Sequence, residues 1–402
     1  MCAKIDISPA LRTEGIEERI KMISLRSGNK MVVEGALAAG CRFFSGYPIT
    51  PASEIYQLMT ETLSARGDVA ISAPDEITTL CYCVGASQRG FKAMTATSGP
   101  GWCLMIETVQ YAIMTETPVV IALVQRLGPS TGGATQGAQG DILLAESVVS
   151  GGYTIPVFYP SNPVECYELT VHAFNWAETL RTPVVLLSDK EVGTTSESID
   201  LSELKRIPVV ERKAFEPVAR QGMALQSQSP FMTCSFKDPE DIPSFSPVGD
   251  RHKVTITGSA HNKLGQLRKN DPETLEVLVH LQKKIEHRTS EMAMVKADVQ
   301  PEAKTLIISF GITARTAREA VRIARRQGLK VSLLQLLTLF PIPVREILDH
   351  LNDARRIVIA EENLTGQYRS LIKHLFDGRE VIGVNKIASM IRPKDIVSAL
   401  LT

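Results

Sequence analysis

Four clusters of reactive or conformationally unusual residues are the first candidates for a functional site. They combine two adjacent carboxylic acids, an arginine, hydroxyl groups and several glycines and prolines. The clusters are Gly46-Tyr47-Pro48-Ile49-Thr50-Pro51, Pro74-Asp75-Glu76, Ser98-Gly99-Pro100-Gly101, and Arg126 with the loop from Leu127 to Gly140. Each cluster follows a predicted strand. Because the carboxyl ends of parallel strands meet at one edge of a sheet, where ligands bind, we expect the four clusters to line one crevice.

Each cluster taken alone also has a purely structural interpretation. Thr50 and Pro51 suit the cap and first turn of a helix. Asp75 and Glu76 fall at a helix start, where the helix dipole stabilises acidic side chains. Ser98 begins a typical tight turn between a strand and a helix. The shared sheet edge, rather than any single cluster, therefore predicts the site.

The sequence disfavours several common kinds of site. The loop after Arg126 contains five glycines but lacks the Gly-Lys-Ser/Thr ending of a P-loop, and no Gly-x-Gly-x-x-Gly string lies between a predicted strand and helix. No two histidines have the spacing of a helical metal site. The closest cysteines, Cys81 and Cys83, form a C-x-C pair, and no C-x-x-C string occurs. We therefore expect this chain itself to hold neither a metal ion nor an iron–sulfur cluster.

The clusters must be positioned by alternating strands and helices. Strands are predicted over 41–45, 69–72, 91–97, 119–125, 157–159 and 184–188, and helices over 31–39, 55–63, 77–87, 102–115, 141–149 and 163–180. This alternation predicts a parallel sheet covered by helices on both faces. A second α/β unit begins near residue 303, with strands predicted over 305–310, 329–334 and 356–360 and a helix over 313–327.

The chain is predicted to contain two domains and a long connection. Its 402 residues correspond to roughly two to three domains of about 150 residues. We assign residues 1–27 to an N-terminal arm with a short helical pattern, 28–225 to the first domain, 226–302 to a linker or wrapping segment, and 303–402 to the second domain. Four prolines between residues 226 and 250 favour the linker. A charged amphipathic stretch over 272–294 predicts a surface helix within it.

Charge and hydropathy exclude some classes of partner. Forty-four Lys and Arg residues balance forty-four Asp and Glu residues, which argues against nucleic acid or an anionic membrane bound through bulk charge. Residues 104–124 are apolar but are interrupted by Glu107, Glu116 and Pro118, so we expect no membrane span. Because the N-terminal residues lack an apolar secretion signal and the cysteines are few and scattered, we expect a cytoplasmic protein.

Several ordered motifs together resemble one enzyme family. The motifs are Tyr47-Pro48-Ile49-Thr50-Pro51-Ala52-Ser53-Glu54, Thr95-Ala96-Thr97-Ser98-Gly99-Pro100-Gly101, Gln125-Arg126-Leu127-Gly128-Pro129-Ser130-Thr131-Gly132, Gly311-Ile312-Thr313, Phe340-Pro341-Ile342-Pro343 and Glu361-Glu362-Asn363-Leu364-Thr365-Gly366-Gln367. From about residue 28 to the C-terminus, the chain closely resembles the alpha subunit of 2-oxoacid:ferredoxin oxidoreductases. The segments Pro247-Val248-Gly249-Asp250 and Thr255-Ile256-Thr257-Gly258-Ser259-Ala260-His261 resemble the 2-oxoglutarate type more than the pyruvate type.

The resemblance implies a fold, cofactors and partners. The first domain resembles the pyrimidine-binding domain of a thiamine diphosphate enzyme, and the second resembles a transketolase C-terminal domain. A beta subunit is implied to hold the diphosphate of the shared cofactor, Mg²⁺ and a [4Fe–4S] cluster. Coenzyme A is the implied co-substrate and ferredoxin the implied electron acceptor. Because the gamma domain of some family members has no counterpart in this sequence, a separate gamma subunit or a two-subunit enzyme is implied.

The resemblance also assigns roles to individual residues. Glu76 matches the family's carboxyl group that hydrogen-bonds the pyrimidine N1′ of the cofactor, and Asp75 is the alternative. Arg126 resembles the arginine that binds the substrate carboxylate, and its fork matches carboxylate geometry. Thr50 and Thr135 match substrate-binding threonines. The remaining expected cofactor contacts come from the first and third clusters: Tyr47, Pro48, Ile49, Ser98 and Gly99.

The activity that follows is oxidative decarboxylation of a 2-oxoacid to acyl-CoA and CO₂, with the electrons passed to ferredoxin. We expect 2-oxoglutarate as the substrate, with pyruvate, branched-chain and aryl 2-oxoacids as alternatives. A different class with the same cofactor is the beta chain of a lipoamide-linked 2-oxoacid dehydrogenase, which lacks the Tyr-Pro-Ile-Thr-Pro string. Two further alternatives are a non-catalytic partner subunit and a nicotinamide-dependent dehydrogenase.

Overall fold

Two principal β-sheets, both packed against helices, form the core of the chain. A computed structural model describes residues 23–215 and 231–401. The strands are β1 (Ile23–Ser27), β2 (Phe43–Gly46), β3 (Val69–Ser72), β4 (Ala93–Thr97), β5 (Val119–Gln125), β6 (Val157–Phe158), β7 (Pro183–Asp189), β8 (Ser196–Asp200), β9 (Val295–Asp298), β10 (Thr305–Ser309), β11 (Val331–Leu336), β12 (Thr338–Phe340), β13 (Arg356–Glu361) and β14 (Glu380–Asn385). The helices are α1 (Gly28–Ala38), α2 (Ser53–Ala65), α3 (Glu76–Gln88), α4 (Gly99–Met114), α5 (Ile142–Glu146), α6 (Pro163–Leu180), α7 (Lys190–Thr194), α8 (Pro272–Glu286), α9 (Thr289–Met292), α10 (Gly311–Arg326), α11 (Val344–Asp349), α12 (Gln367–Ile372) and α13 (Pro393–Leu401).

The larger sheet has seven strands in the order β12-β6-β7-β5-β4-β2-β3. Strands β2 to β7 are parallel to one another, and β12 pairs antiparallel with β6 at one edge. Strand β5 is buried on both faces: Ile121 and Leu123 pack into one core, and Val120 and Ala122 pack into the other. A strand with apolar side chains on both faces needs helices on both sides, as the sequence predicted.

The smaller sheet has five strands in the order β14-β13-β10-β11-β9. Four of them are parallel, and β9 pairs antiparallel with β11. This confirms the predicted second α/β unit. Two short edge strands cross the predicted domain boundaries, since β9 comes from the predicted linker and β12, from the second domain, joins the larger sheet. Neither was predicted, because β9 is largely exposed and β12 has only three residues.

Helix α8 anchors the predicted linker to the first domain. The helix ends at Glu286 rather than at residue 294, and one face of it is buried. Lys284 Nζ lies 2.8 Å from Glu116 Oε2, and His280 Nε2 lies 3.1 Å from the same oxygen. Burial alone would raise the pKa of Glu116, but Lys284 and His280 hold it well below its usual value. Because Glu116 precedes β5, this buried ion pair lies at the amino end of the strand, away from the predicted site.

The predicted N-terminal arm falls partly outside the described residues. Residues 1–22 are among those not described, whereas Ile23–Ser27 forms strand β1 and pairs antiparallel with β8 rather than forming part of a helix. Across residues 23–215 and 231–401, none of the helices has the length and apolar character needed to cross a membrane.

The two domains meet through the carboxyl ends of their parallel strands. Asp189, the last residue of β7, accepts a hydrogen bond of 2.5 Å from the backbone N–H of Ile312 at the start of α10. The neighbouring Gly311 has a φ of +54°, and a Cβ there would overlap the Asp189 carboxylate. A carboxylate of the first domain therefore caps a helix of the second and requires glycine beside it.

Candidate functional site

The four predicted clusters lie at the carboxyl edge of the larger sheet. They follow β2, β3, β4 and β5, which are adjacent in the order β5-β4-β2-β3 and parallel. The sheet therefore places the loops after these four strands side by side, as the alternation of strands and helices predicted. The contacts between these loops show which side chains meet.

Glu76 points into this edge from the first turn of α3. Its side chain is buried, with only 7% of the residue exposed. An added Cβ at Gly101, in the first turn of α4, would lie 2.6 Å from Glu76 Oε1 and would also overlap the hydroxyl of Thr97. No hydrogen bond within residues 23–215 and 231–401 engages the Glu76 carboxylate. The absence of a side chain at Gly101 therefore leaves room for a buried acid whose oxygens are free to bind a ligand.

Asp75 has a different role from its neighbour. Its carboxylate accepts a hydrogen bond of 2.7 Å from the backbone N–H of Thr78 and caps α3. Hydrogen bonds from Thr78 lower the pKa of Asp75. Asp75 is thus engaged by its own helix, which favours Glu76 as the ligand-binding acid of the pair.

Arg126 joins the first and fourth clusters. Its Nη1 donates a hydrogen bond of 2.7 Å to the backbone oxygen of Thr50. The residue is 7% exposed, and its Nε is buried without a hydrogen-bond partner among the described residues. A buried guanidinium with a free donor is costly unless a further acceptor binds there. The geometry suits a small anionic ligand at this edge.

Asp141 was not predicted as a site residue but lies beside Arg126. Its carboxylate packs against Gly99, where an added Cβ would lie 2.8 Å from Asp141 Oδ2. Burial raises the pKa of Asp141 to about 6, and the Arg126 guanidinium opposes that effect. The only sequence signal was an acid directly after a glycine-rich loop, which is too common a pattern to identify a site.

Ser98 and Asp141 add further unpartnered polar atoms. The hydroxyl of Ser98 and Oδ2 of Asp141 are both buried without a hydrogen-bond partner among the described residues. Together with Arg126 Nε and the Glu76 carboxylate, they present donors and acceptors at one edge of the sheet. This set fits a polar ligand with both donors and acceptors, and an anionic substrate. No group of three or more metal-binding side chains occurs among the described residues.

A cavity of about 380 Å³ lies between the two domains at this edge. Arg126, Asp141 and Gly99 line it from the first domain, and Glu362 and Gln367 line it from the second. Burial raises the pKa of Glu362 to about 7. The cavity therefore combines a cation with weakly acidic carboxyl groups from both domains.

The remaining predicted residues are more exposed. Tyr47, Pro48 and Thr50 are exposed at the rim, and Ile49 is half-buried against the core beneath them. Thr135 is exposed on the glycine-rich loop and is not among the residues that line the cavity. The structure thus brings Glu76, Ser98, Gly99 and Arg126 to the carboxyl edge of one sheet. Gly99 and Arg126 line the cavity, whereas Glu76, Ser98 and Thr135 are not among its lining residues.

Two family models match the chain. The model described as "Pyruvate flavodoxin/ferredoxin oxidoreductase, thiamine diP-bdg" matches residues 34–243, and "Pyruvate:ferredoxin oxidoreductase core domain II" matches residues 303–395. The first match covers more than half of the chain. The protein therefore belongs to the 2-oxoacid:ferredoxin oxidoreductases that carry a thiamine diphosphate-binding domain, as its motifs predicted.

Its relatives are named as subunits of such enzymes. The 2-oxoglutarate synthase subunit KorA of Methanothermobacter marburgensis is 38% identical over 377 residues, which cover 93% of this chain and 97% of that protein. The ketoisovalerate oxidoreductase subunit VorB of Methanothermobacter thermautotrophicus is 30% identical over 376 residues, covering 93% of this chain and 96% of that protein. Sequence similarity is thus higher to the relative named for 2-oxoglutarate.

Solved structures support the same assignment of fold. A 2-oxoglutarate:ferredoxin oxidoreductase from Magnetococcus marinus, solved with 2-oxoglutarate, coenzyme A and succinyl-CoA bound, matches with a TM-score of 0.85 and 28% identity. The match covers 94% of this chain and 65% of that chain. A split-gene transketolase matches with a TM-score of 0.52 and 14% identity over 93% of this chain and 95% of that chain, which confirms the transketolase-like fold alone.

Because a Cβ at Gly101 would overlap the Glu76 carboxylate, adding one methyl group there should strongly weaken cofactor binding. In Gly101→Ala, the new Cβ must displace the Glu76 carboxylate, so we expect a loss of thiamine diphosphate affinity of about tenfold or more with the fold retained. The measurement is calorimetric titration of the purified complex with the cofactor.

Gly85→Ala in the neighbouring helix α3 is the matched control. A Cβ at Gly85 would meet no atom within 4 Å. It should leave cofactor affinity unchanged and stabilise the helix by about 0.5–1 kcal/mol. Unchanged affinity in Gly101→Ala would remove Glu76 from the cofactor site.

Proposed function

We propose that this chain is the alpha subunit of a CoA-dependent 2-oxoglutarate:ferredoxin oxidoreductase and binds the aminopyrimidine half of thiamine diphosphate. The observation that carries the proposal is the buried Glu76 carboxylate, free beside Gly101, at the same sheet edge as the Arg126 guanidinium. Support for the substrate comes from the 38% identity to a 2-oxoglutarate synthase subunit. The structural match to an oxidoreductase bound to 2-oxoglutarate and coenzyme A points the same way.

Glu76 is proposed as the acid that hydrogen-bonds N1′ of the cofactor's pyrimidine ring. When bound, thiamine diphosphate supplies a carbon nucleophile for the keto carbon of a 2-oxoacid. Glu76 would hold the ring at N1′ and supply the carboxyl group that this chemistry requires at that atom. Because the Glu76 oxygens have no hydrogen bond within the described part of the chain, the carboxyl group is free to bond to the ring.

Arg126 and Thr50 are proposed to bind the substrate's 2-oxoacid end. Arg126 presents a buried, unpaired donor, and its fork can bind a carboxylate through two hydrogen bonds before that group leaves as CO₂. Thr50 is held beside it, since its backbone oxygen accepts from Arg126 Nη1. Thr135 is proposed as a further substrate contact, although reaching the cavity would require its exposed loop to move.

The other cofactor contacts are proposed from Tyr47, Pro48, Ile49, Ser98 and Gly99. Among these, the Ser98 hydroxyl is buried and unpartnered. Burial of a hydroxyl without a partner is unfavourable, so a polar group of the bound cofactor would satisfy it.

The rest of the enzyme is proposed to lie in partner subunits. A beta subunit would hold the cofactor's diphosphate, Mg²⁺ and a [4Fe–4S] cluster. The complex would contain either these two subunits alone or a separate gamma subunit as well. The exposed rim at Tyr47 leaves one side of the site open for a partner. Coenzyme A would accept the acyl group and ferredoxin the electrons, in the cytoplasm.

The role of Glu76 is tested by exchanging each acid of the adjacent pair for its amide. Glu76→Gln should lower kcat/KM by about 100-fold or more and weaken cofactor binding, because a neutral amide cannot share a proton with N1′. Asp75→Asn is the control, since asparagine caps a helix about as well as aspartate, and it should change kcat/KM by less than about threefold. Wild-type activity in Glu76→Gln would refute the proposed role.

The reaction and substrate are tested with a panel of 2-oxoacids, coenzyme A and a low-potential dye on the co-purified complex. We expect the highest kcat/KM with 2-oxoglutarate and a brown iron–sulfur chromophore in the preparation. A preference for pyruvate, a branched-chain or an aryl acid would correct the substrate. A requirement for flavin and lipoamide would contradict the reaction class.

Arg126→Lys in the same assay should raise KM for 2-oxoglutarate by about tenfold or more, as expected when a bidentate charged contact is lost. Arg181→Lys makes the same chemical change at a buried arginine just before β7, at the amino end of the strands, and should leave KM unchanged. Equal KM values in the two variants would remove Arg126 from the substrate site.

A further inference from the structure

Two of the second domain's motifs contact the first domain, although the proposed chemistry gives them no role. Gly311-Ile312-Thr313 follows β10, and Glu361-Glu362-Asn363-Leu364-Thr365-Gly366-Gln367 begins with the last residue of β13. Both lie at the carboxyl ends of their strands and face the first domain. Both contact the end of the glycine-rich loop that begins after Arg126.

Gln139, near the end of that loop, connects it to both motifs. Its side chain is fully buried. Gln139 Oε1 accepts hydrogen bonds from Thr313 Oγ1 at 3.2 Å and from the Glu362 backbone N–H at 3.0 Å. Its backbone N–H donates to the Glu362 backbone oxygen at 2.7 Å, and its backbone oxygen accepts from Asn363 Nδ2 at 3.1 Å. One residue of the loop is therefore bonded to the second domain through side chain and backbone alike.

Gln367 forms hydrogen bonds with residues that follow Gln139 in the chain. Its Nε2 donates to the backbone oxygen of Gly140 at 2.9 Å, and its Oε1 accepts from the backbone N–H of Leu143 at 3.0 Å. Asp141 lies between these two contacts, and its backbone N–H donates to Gln125 Oε1 at 2.9 Å. The segment from residue 139 to 143 is thus fixed on both sides of the cavity-lining Asp141.

Arg126, by contrast, has few restraints of its own. The one hydrogen bond that its side chain donates among the described residues goes to the Thr50 backbone oxygen. Arg126 begins the loop that Gln139 and Gln367 hold at its other end, and Arg126 and Asp141 line the same cavity. The shape of that cavity therefore depends on where the second domain holds the loop.

We propose that Gln139 and Gln367 are positioning residues through which the second domain fixes the substrate-binding loop and sets the alignment of Arg126 and Asp141 with the 2-oxoacid. This inference rests on the proposed function, in which Arg126 binds the substrate carboxylate. The two unassigned motifs then serve substrate binding rather than cofactor binding, because their contacts reach the loop after Arg126 and not Glu76.

The test compares two buried glutamines that both bridge the domains. Gln139→Leu removes the side-chain hydrogen bonds from Thr313 and the Glu362 backbone and leaves the backbone hydrogen bonds of residue 139 in place. Gln335→Leu is the matched control: Gln335 Nε2 donates to Ser161 Oγ at 3.1 Å and to Glu165 Oε2 at 3.1 Å, away from the loop. In the assembled complex, Gln139→Leu should raise KM for 2-oxoglutarate by about tenfold or more, since small misplacements of a binding group are costly. The cofactor affinity should stay at the wild-type value, and Gln335→Leu should leave KM unchanged.

Other outcomes separate this inference from the function on which it rests. Should Gln139→Leu fail to fold, Gln367→Leu, at a half-buried position, should give the same rise in KM with an unchanged melting temperature. Equal KM changes in the Gln139 and Gln335 variants, or a loss of cofactor affinity with KM unchanged, would overturn the positioning role. A wild-type complex inactive on every 2-oxoacid would instead overturn the proposed function.

Discussion

A carboxylic acid buried at the end of a parallel sheet, with no bond to its own chain among the described residues, is the feature on which the proposed site depends. Its oxygens are available to a ligand because no hydrogen bond of the described residues engages them, and the buried, unpartnered Nε of Arg126 and hydroxyl of Ser98 at the same edge also lack partners. Three local features place Glu76 there: β3 ends just before it, Asp75 takes over the capping of α3, and Gly101 leaves room for its oxygens.

The second constraint is the meeting of two sheets at their carboxyl edges. In each domain the loops after parallel strands carry the unusual residues, and the domains pack so that these loops face one another. Asp189 caps α10 across the boundary, and Gln139 binds both motifs of the second domain. The second domain therefore completes a cavity that the first domain lines on one side only. Strand β12 of the second domain pairs with β6 at the edge of the larger sheet and links the domains further.

Much of this arrangement could be predicted from the sequence because its signals are local. A continuous apolar run such as residues 119–125 specifies a strand buried on both faces, and a polar cluster after it falls at the ligand edge. The clusters that contain Glu76 and Arg126 were found in that way, and the family resemblance then selected these two residues within them. Strands β9 and β12 were missed because short edge strands need no apolar run. Gln139 was missed because its importance arises from contacts with residues more than 150 positions away, such as Thr313 and Glu362. Asp141 was missed because an acid after a glycine-rich loop is too common a pattern to identify a site. The exposure of Thr135 likewise depends on how the loop folds, which the motif alone does not determine.

The most direct measurement is a cryo-electron microscopy map of the assembled complex with thiamine diphosphate bound. The account predicts the cofactor's pyrimidine ring against Gly101, with N1′ within a hydrogen-bonding distance of about 2.6–3.2 Å of a Glu76 oxygen. A ring bound elsewhere on the complex, or a Glu76 carboxylate turned away from it in a fully active preparation, would contradict the account.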